Sequence, residues 1–448
     1  MVFARARRPR ALYLAYYFPP SRASGVYRAR ATANYLARRD WDVTVFACPM
    51  DFLDKVIGSK DEELLGTLDP RIRIERPPLN QYVWQRDARD FGPLRRTFPH
   101  TAQKGYAWTQ RRLFPEHYAS WSFASVRRAL ALHMRRRFDV VVATGNPFSS
   151  FAAAWLFRRI TGVPYVLDYR DSWTLNQFTD ELARPEGDPV HTWERRVTGG
   201  AAEVVFVNEA MRAWHAERHP HAADRMTVVP NAWDADLLDL PPLDLSVPAA
   251  PRPIRFTFLG TVTAVQPVEE MLSAFRMVRR HADFSDAELH IHGHLGFFKG
   301  ADAALRGRLQ SDADDGRDSG VRLCGPVPKT EVADVYRESD VLVFLTGGAR
   351  YVTSGKIFEY MATGRPIVSV HGPGIAAEEV LDGYPLWFNA NSLDPSALAD
   401  TMISAAKAAR DLSPEEHLSA RRHADTYERD VVLAPFETRL RTLARRSS

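Results

Sequence analysis

Two cysteines in 448 residues, Cys48 and Cys324, are too few for a disulfide framework or a Cys-only zinc site. That scarcity fits a reducing cytosol. No run of about 18 apolar residues occurs, so no membrane-spanning helix is expected. Basic residues from Arg5 to Arg10 precede an apolar stretch, as in a signal peptide. The stretch stops at Pro19-Pro20 without a small-residue cleavage site, so it reads as a first strand. No G-x-G-x-x-G follows either candidate first strand, which disfavours a dinucleotide oxidoreductase. G-x-x-x-x-G-K-[ST], G-x-S-x-G and H-E-x-x-H are also missing, and no nucleic-acid-binding motif is found.

What is present describes a globular protein with 45% hydrophobic and 25% charged residues, long enough for two or three domains. The net charge of +4 is unevenly spread. Residues 1–137 hold 26 Lys and Arg against 12 Asp and Glu, and the remainder holds 33 against 43. A basic first part points to an anionic surface or ligand, with acidic lipid headgroups the preferred partner. The alternative is an arginine-rich composition with a solvated face. No nucleic-acid partner is expected.

In chain order, Ala11 to Phe18 reads as a strand, Ser24-Gly25 as a loop, Val26 to Arg38 as a helix and Asp42 to Ala47 as the next strand. Such a βαβ unit implies a parallel sheet, with ligands at the C-terminal strand ends. Residues from about Met50 to Phe123 read as irregular, with arginines alternating with aromatics from Tyr82 through Arg86, Trp108 and Phe114. A long insertion of this kind suits an acceptor or membrane contact, with aromatics packed and arginines outward. Further strands are Phe138–Thr144, Tyr165–Tyr169, Ala202–Asn208 and Met226–Ala232. Arg170 and Asp171 stand at the end of the second of these, where charge serves function or pairs internally.

A Pro-rich stretch from Leu237 to Pro253 reads as a linker. A second alternating series follows, with strands at Arg255–Leu259, Glu288–Gly293, Val321–Gly325, Val341–Leu345 and Ile367–Val370. Helices are expected near Pro267–His281, Ala303–Asp312 and Lys329–Glu338, and terminal helices at Pro414–Ala424 and Val431–Arg445. The fold class is α/β, with two doubly wound Rossmann-like domains facing a cleft. The divisions are 1–236, a linker at 237–253, a second domain at 254–425, and a helix at 426–448 packing back across the domains. His290, His292 and His294 alternate along a strand end without a carboxylate pair nearby, so no metal site is assigned there. The acidic runs Asp234–Asp236 and Asp312–Asp315 read as capping and solvated charge.

The stretch Tyr351–Val368 carries the clearest chemistry. A buried strand at Val341–Leu345 leads through a loop to a short helix, with Thr353, Ser354 and Gly355 at its start. A helix N-terminus favours anionic oxygens; Lys356 adds a movable cation, and Glu359, one turn on, adds an acceptor pair. A phosphate binder beside a hydroxyl binder is what a nucleotide requires.

At nearly full length these residues resemble the GT-B glycosyltransferases, and within them the retaining nucleotide-sugar transferases of family 4 that build bacterial surface polysaccharides. The likeness rests on Tyr17–Pro20 with Ser24-Gly25, Thr144–Ser150, Asp168–Trp173, Val228–Asn231, Val321–Val327 and, most specifically, Ser354–Pro366. The resemblance implies that Glu359 binds the donor ribose. It implies that Lys356 and the backbone at Thr353, Ser354 and Gly355 hold the diphosphate, that Gly260 and Thr261 line it, and that Val327 faces the nucleobase. Gly25 would permit close approach, and Arg28 would contact the same charge. Relatives often carry a Glu where this chain has Tyr351, basic residues after the second glycine loop where it has Gly260-Thr261-Val262-Thr263, and a histidine near Asn146. The implied activity is sugar transfer, of the hexosyltransferase type, from a nucleotide-diphosphate sugar to a lipid-linked or polysaccharide acceptor, with retention and without a required metal. The implied location is the cytoplasm, at the inner face of the membrane. An epimerase of the same fold and a non-catalytic nucleotide-sugar-binding subunit are the alternatives.

Overall fold

The computed structural model describes residues 7–58, 60–85, 89, 91–112, 114–245, 252–296, 319–348 and 350–447. Two compact units share the chain: residues 1–230 with 433–448, and residues 231–432.

The first unit is built on a seven-stranded sheet. Its strands are β1 (Arg10–Leu14), β2 (Asp42–Phe46), β3 (Arg73–Glu75), β4 (Val140–Gly145), β5 (Tyr165–Tyr169), β6 (Glu203–Phe206) and β7 (Met226–Val228). The order is β3-β2-β1-β4-β5-β6-β7, and every pairing is parallel. Strands β1, β4 and β5 are buried throughout, as a sheet covered on both faces demands. The helix Val26–Arg38 has the expected bounds. The first strand is shorter than the apolar run suggested. Its pairing with β4 ends at Leu14, and Tyr16 then turns into a ring cluster with Tyr17, Phe52, Tyr118 and Trp121.

The supposedly irregular insertion contains a 14-residue helix, Pro99–Arg112, as well as β3 and the start of the helix Ala119–Arg135. Its aromatics are not spaced at a helical period, so no apolar stripe announced it. Several aromatics pack inward: Tyr82 stacks on Tyr106, Trp84 lies against Phe52 and Tyr118, and Phe114 is buried against Trp173 and Trp193. Others do not, since Phe98 and Trp108 are exposed, as is Leu94. Arg95 lies over the rings of Tyr82 and Phe91. Arg86 lies outside the described residues.

The second unit has a six-stranded sheet: β8 (Arg255–Leu259), β9 (Glu288–His292), β10 (Val321–Gly325), β11 (Val341–Leu345), β12 (Ile367–Val370) and β13 (Trp387–Asn389). The order is β10-β9-β8-β11-β12-β13, again all parallel. Alternation sends Phe256, Phe258, Leu289, Ile291, Val341 and Val343 into one core beneath the helices Val268–Val278 and Pro395–Arg410. Leu259, Leu342 and Phe344 point into the other, where the helices Gly355–Ala362 and Pro414–Asp425 contribute Ile357, Met361 and Ala420. The expected helix Ala303–Asp312 and the acidic run Asp312–Asp315 lie outside the described residues, as does part of the Pro-rich stretch. Among the described residues no helix is long and apolar enough to cross a membrane.

Candidate active site

In the second unit the helix Gly355–Ala362 starts where the sequence indicated. Ser354 is its N-cap, and its hydroxyl accepts from the Lys356 N–H at 3.3 Å. The buried Thr353 presents its carbonyl to Asn231 Nδ2 at 3.1 Å, which fastens the loop before the helix. One helical turn brings Lys356 and Glu359 together, with Nζ 3.2 Å from Oε2.

Glu359 has two further partners that sequence reasoning missed. Lys329 Nζ donates to Oε1 at 2.6 Å and the Tyr336 hydroxyl donates to Oε2 at 2.8 Å. Burial alone would raise this carboxyl; the charges of Lys329 and Lys356, with the hydrogen bonds from Lys329 and Tyr336, overcome it and hold Glu359 down at about 2. It is therefore a carboxylate with fixed acceptor geometry. Burial lowers the Lys356 ammonium, the attraction of Glu359 opposes this, and the like charge of Lys329 adds to the lowering. The signal for Lys329 was its place directly after the Val327-Pro328 turn, but only the fold brings it to a residue 30 positions away.

The helix is tied to the first strand of its own sheet. Tyr360 Oη accepts from Leu259 N–H at 3.0 Å and lies 3.2 Å from the Leu259 carbonyl. That bond sets Gly260 and Thr261, the next two residues, relative to Lys356. A glycine is needed at the adjoining turn. Gly293 has φ of +141°, and a Cβ there would lie 1.7 Å from the Gly260 carbonyl oxygen. Val327 lines a cavity of about 410 Å³ with Pro326, Glu331 and Val335. Tyr351, where relatives often carry a Glu, is buried with the Arg350 guanidinium 5.6 Å from its ring.

In the first unit the strand ends gather Gly25, Arg170, Gly145 and Asn146. The guanidinium of Arg170 packs directly over Gly25. Its Nε donates to the Gly145 carbonyl at 3.1 Å and its Nη2 to that of Asn146 at 3.4 Å. Asp171 Oδ2 is 3.4 Å from Arg170 Nη2, and its side chain is substantially exposed. Arg28 is elsewhere engaged. It is buried, grips both carboxylate oxygens of buried Asp168 and donates to the Pro230 carbonyl at 2.9 Å. The N-terminus of the helix Ser149–Thr161 is occupied by a side chain that the sequence did not single out. Glu116, from the insertion, accepts from the N–H groups of Phe148 and Ser149 at 3.0 and 2.7 Å and from the Ser149 hydroxyl at 2.6 Å. Burial nevertheless pushes this carboxyl up.

Comparison with known proteins agrees with this architecture. Residues 24–232 match the Glycosyl transferase 4-like domain family, and residues 253–407 match the Glycosyl transferases group 1 family. No curated protein sequence matches the chain. Among solved structures, a glycosyltransferase from Rickettsia africae superposes with a TM-score of 0.65 at 12% identity, over 97% of this chain and 98% of that one. Sucrose-phosphate synthase from Thermosynechococcus elongatus gives 0.63 at 15% identity, over 97% and 99%. HepE of Anabaena, solved with UDP and glucose, gives 0.61 at 13% identity, over 97% and 100%. At such identities the likeness is one of fold; the two family matches, one on each sheet unit, carry the assignment. The chain belongs to the GT-B glycosyltransferases of the family-4-like kind.

Proposed function

We propose that this glycosyltransferase moves a hexosyl group from a nucleotide-diphosphate sugar to a lipid-linked or polysaccharide acceptor, with retention of anomeric configuration. The observation that carries this reading is Glu359, held ionised by Lys329 and Tyr336, one turn from Lys356 at a Ser354-capped helix start. A fixed carboxylate accepts from two ribose hydroxyls, while the helix start and Lys356 receive the diphosphate. The structure of HepE with UDP-glucose supports a donor of this class.

In the proposed reaction the anomeric carbon–oxygen bond breaks and its electron pair passes to the diphosphate. Negative charge grows there while the sugar ring becomes positive. Lys356 and the oriented N–H groups stabilise that developing charge more than the ground state, which lowers the barrier. The acceptor hydroxyl attacks the same face and its proton goes to the leaving diphosphate oxygen, so no separate protein base is needed. The positive charge comes from Lys356 and the helix rather than from a metal ion. Gly260, Thr261 and the backbone of Thr353, Ser354 and Gly355 line the diphosphate, Val327 lies along the nucleobase, and Arg170, Asp171 and Gly25 serve the acceptor side.

Transfer assays with radiolabelled UDP-, GDP- and ADP-sugars and undecaprenyl-linked acceptors test the reading, beside a thermal-shift panel of the same nucleotides. Binding to N and not U at about 100 times the dissociation constant adds about 2.7 kcal/mol. A stabilising nucleotide with transfer supports the enzyme. A stabilising nucleotide with neither transfer nor donor hydrolysis supports the non-catalytic subunit, which the buried Tyr351 favours. We further propose that the basic first part, with exposed Leu94, Phe98 and Trp108, rests on an anionic membrane surface. Cosedimentation with vesicles containing phosphatidylglycerol but not with phosphatidylcholine alone, lost at high salt, is the expected result.

A further inference from the structure

The neighbouring strands β9 and β10 bring together side chains that no step of sugar transfer uses. On β9, Leu289 and Ile291 enter one core, so His290 and His292 face the other side of the sheet. On β10, Arg322 pairs with His290 and therefore shares that face, and Cys324 follows it two residues on. The register slips between Leu323 and Gly325, and Gly325 takes φ of +75°. Cys324 thus sits in a bulge opposite His292, an irregularity that re-aims a side chain. Ligand atoms of His290, His292 and Cys324 all lie within 4.8 Å of one another.

We propose that His290, His292 and Cys324 form a binding site for a d-block divalent cation, with Zn²⁺ the best fit. Two imidazoles and one thiolate are the donors such an ion prefers, and a fourth position would remain for water. With Zn–N of about 2.0–2.1 Å and Zn–S of about 2.3 Å, tetrahedral donors stand about 3.3–3.7 Å apart. Binding must draw the donors, now within 4.8 Å of one another, into that range.

Three local features favour a cation. His292 Nδ1 is a buried ring nitrogen without a hydrogen-bond partner. Glu288 Oε2 lies 2.8 Å from His290 Nε2, the carboxylate–imidazole arrangement that orients metal-bound histidines, and leaves Nδ1 of that ring to coordinate. The three side chains line the cavity of about 410 Å³, together with Glu331, Asp334 and Glu338. The nearby guanidinium charges are engaged by carboxylates: Arg255 by Glu338 at 2.7 Å and Arg322 by Glu288 at 3.3 Å. Burial lowers both imidazoles and raises the Cys324 thiol. Binding displaces the thiol proton of Cys324 to solvent and forms one metal–sulfur bond; no redox change occurs. Sequence patterning found the two histidines but could not supply the thiolate, because Cys324 joins them only through strand pairing. An ion there would tie β9 to β10 just before the turn that carries Val327.

The test uses the full chain stripped with chelator and titrated with Co²⁺, read by absorption. A thiolate-to-cobalt charge-transfer band in the near ultraviolet is expected, saturating at one equivalent and erased by Zn²⁺. Cys324→Ser abolishes the band, and His292→Ala weakens binding at least tenfold. Glu288→Gln weakens it about 10-fold to 100-fold, the size of a lost orienting partner. Only two cysteines exist, and Cys48 is buried in the other unit, so Cys48→Ala leaves the band unchanged. Cys324 is exposed, so Cys324→Ser should melt with the metal-free protein. No band in the unaltered chain, or a band that survives Cys324→Ser, overturns the site. None of these readouts depends on transfer activity.

Discussion

Arg170 covers Gly25 so closely that a Cβ on Gly25 would fall 1.3 Å from its Nη1 atom. The glycine is there for space, since its φ of −77° is open to any residue. Gly25→Ala must therefore expel the guanidinium from the carbonyls of Gly145 and Asn146. The displaced group is the far end of a flexible side chain, and Gly25 stands at a helix N-cap, so the stability cost is small, about 1 kcal/mol or less. Activity should fall by at least tenfold. Melting and transfer rate measured on one preparation separate the two effects; unchanged turnover would show that the position of Arg170 is immaterial.

Local pattern disclosed the parallel sheets, because β11 is a continuous apolar run, β1, β4 and β5 are mostly apolar, and their turns carry glycine or proline. It also disclosed Ser354, Lys356 and Glu359, which lie within five positions of each other. It could not disclose partners joined by long crossovers. Lys329 and Tyr336 reach Glu359 from across 30 and 23 residues, Glu116 reaches Ser149 across 33, and Arg28 reaches Asp168 across 140. The helix Pro99–Arg112 was hidden for a different reason, since its aromatics do not form a stripe.

The Arg28–Asp168 pair makes a stability prediction rather than a catalytic one. Both side chains are nearly inaccessible and the contact is two-pronged. Asp168→Asn leaves a guanidinium buried without its counter-charge and should cost about 3–5 kcal/mol in urea denaturation. The double variant Arg28→Met, Asp168→Leu should recover much of that loss. A single variant within 1 kcal/mol of the parent would mean that the pair is not buried in solution.

Acid should weaken the first unit through His215. This ring is fully buried against Glu194, His219 and Ser172, and burial pushes it down to about 4 despite the Glu194 charge, with His219 and Arg218 adding to the lowering. Its pKa in the folded chain lies below the ordinary value of about 6.5, so the unfolded chain takes up a proton first. Stability from the neutral ring is complete above about pH 6.5 and is lost as pH falls towards 4. Between pH 7 and pH 5 the loss should be about 2 kcal/mol. His215→Gln should flatten that slope, as measured by denaturation at both pH values.

Lys329 and Lys356 both touch Glu359, but they should not be equivalent. Lys356 stands at the helix start and is assigned the diphosphate; Lys329 holds the carboxylate from the other side. Lys356→Ala removes the cation itself and should cut turnover by about 10²-fold or more, the scale of one lost charge-stabilising contact. Glu359→Ala should do the same through the ribose. Lys329→Met removes only the support, and about tenfold is expected. Its distinguishing mark is in pH. With Lys329 present Glu359 sits at about 2, so its carboxylate should stay charged well below pH 4.5. Without it, burial is opposed by Lys356 and Tyr336 alone, and Glu359 should take up its proton at higher pH. Nucleotide affinity measured from pH 7 downward should then fail earlier in Lys329→Met than in the parent. Coincident profiles would mean that Lys329 does not set the charge of Glu359.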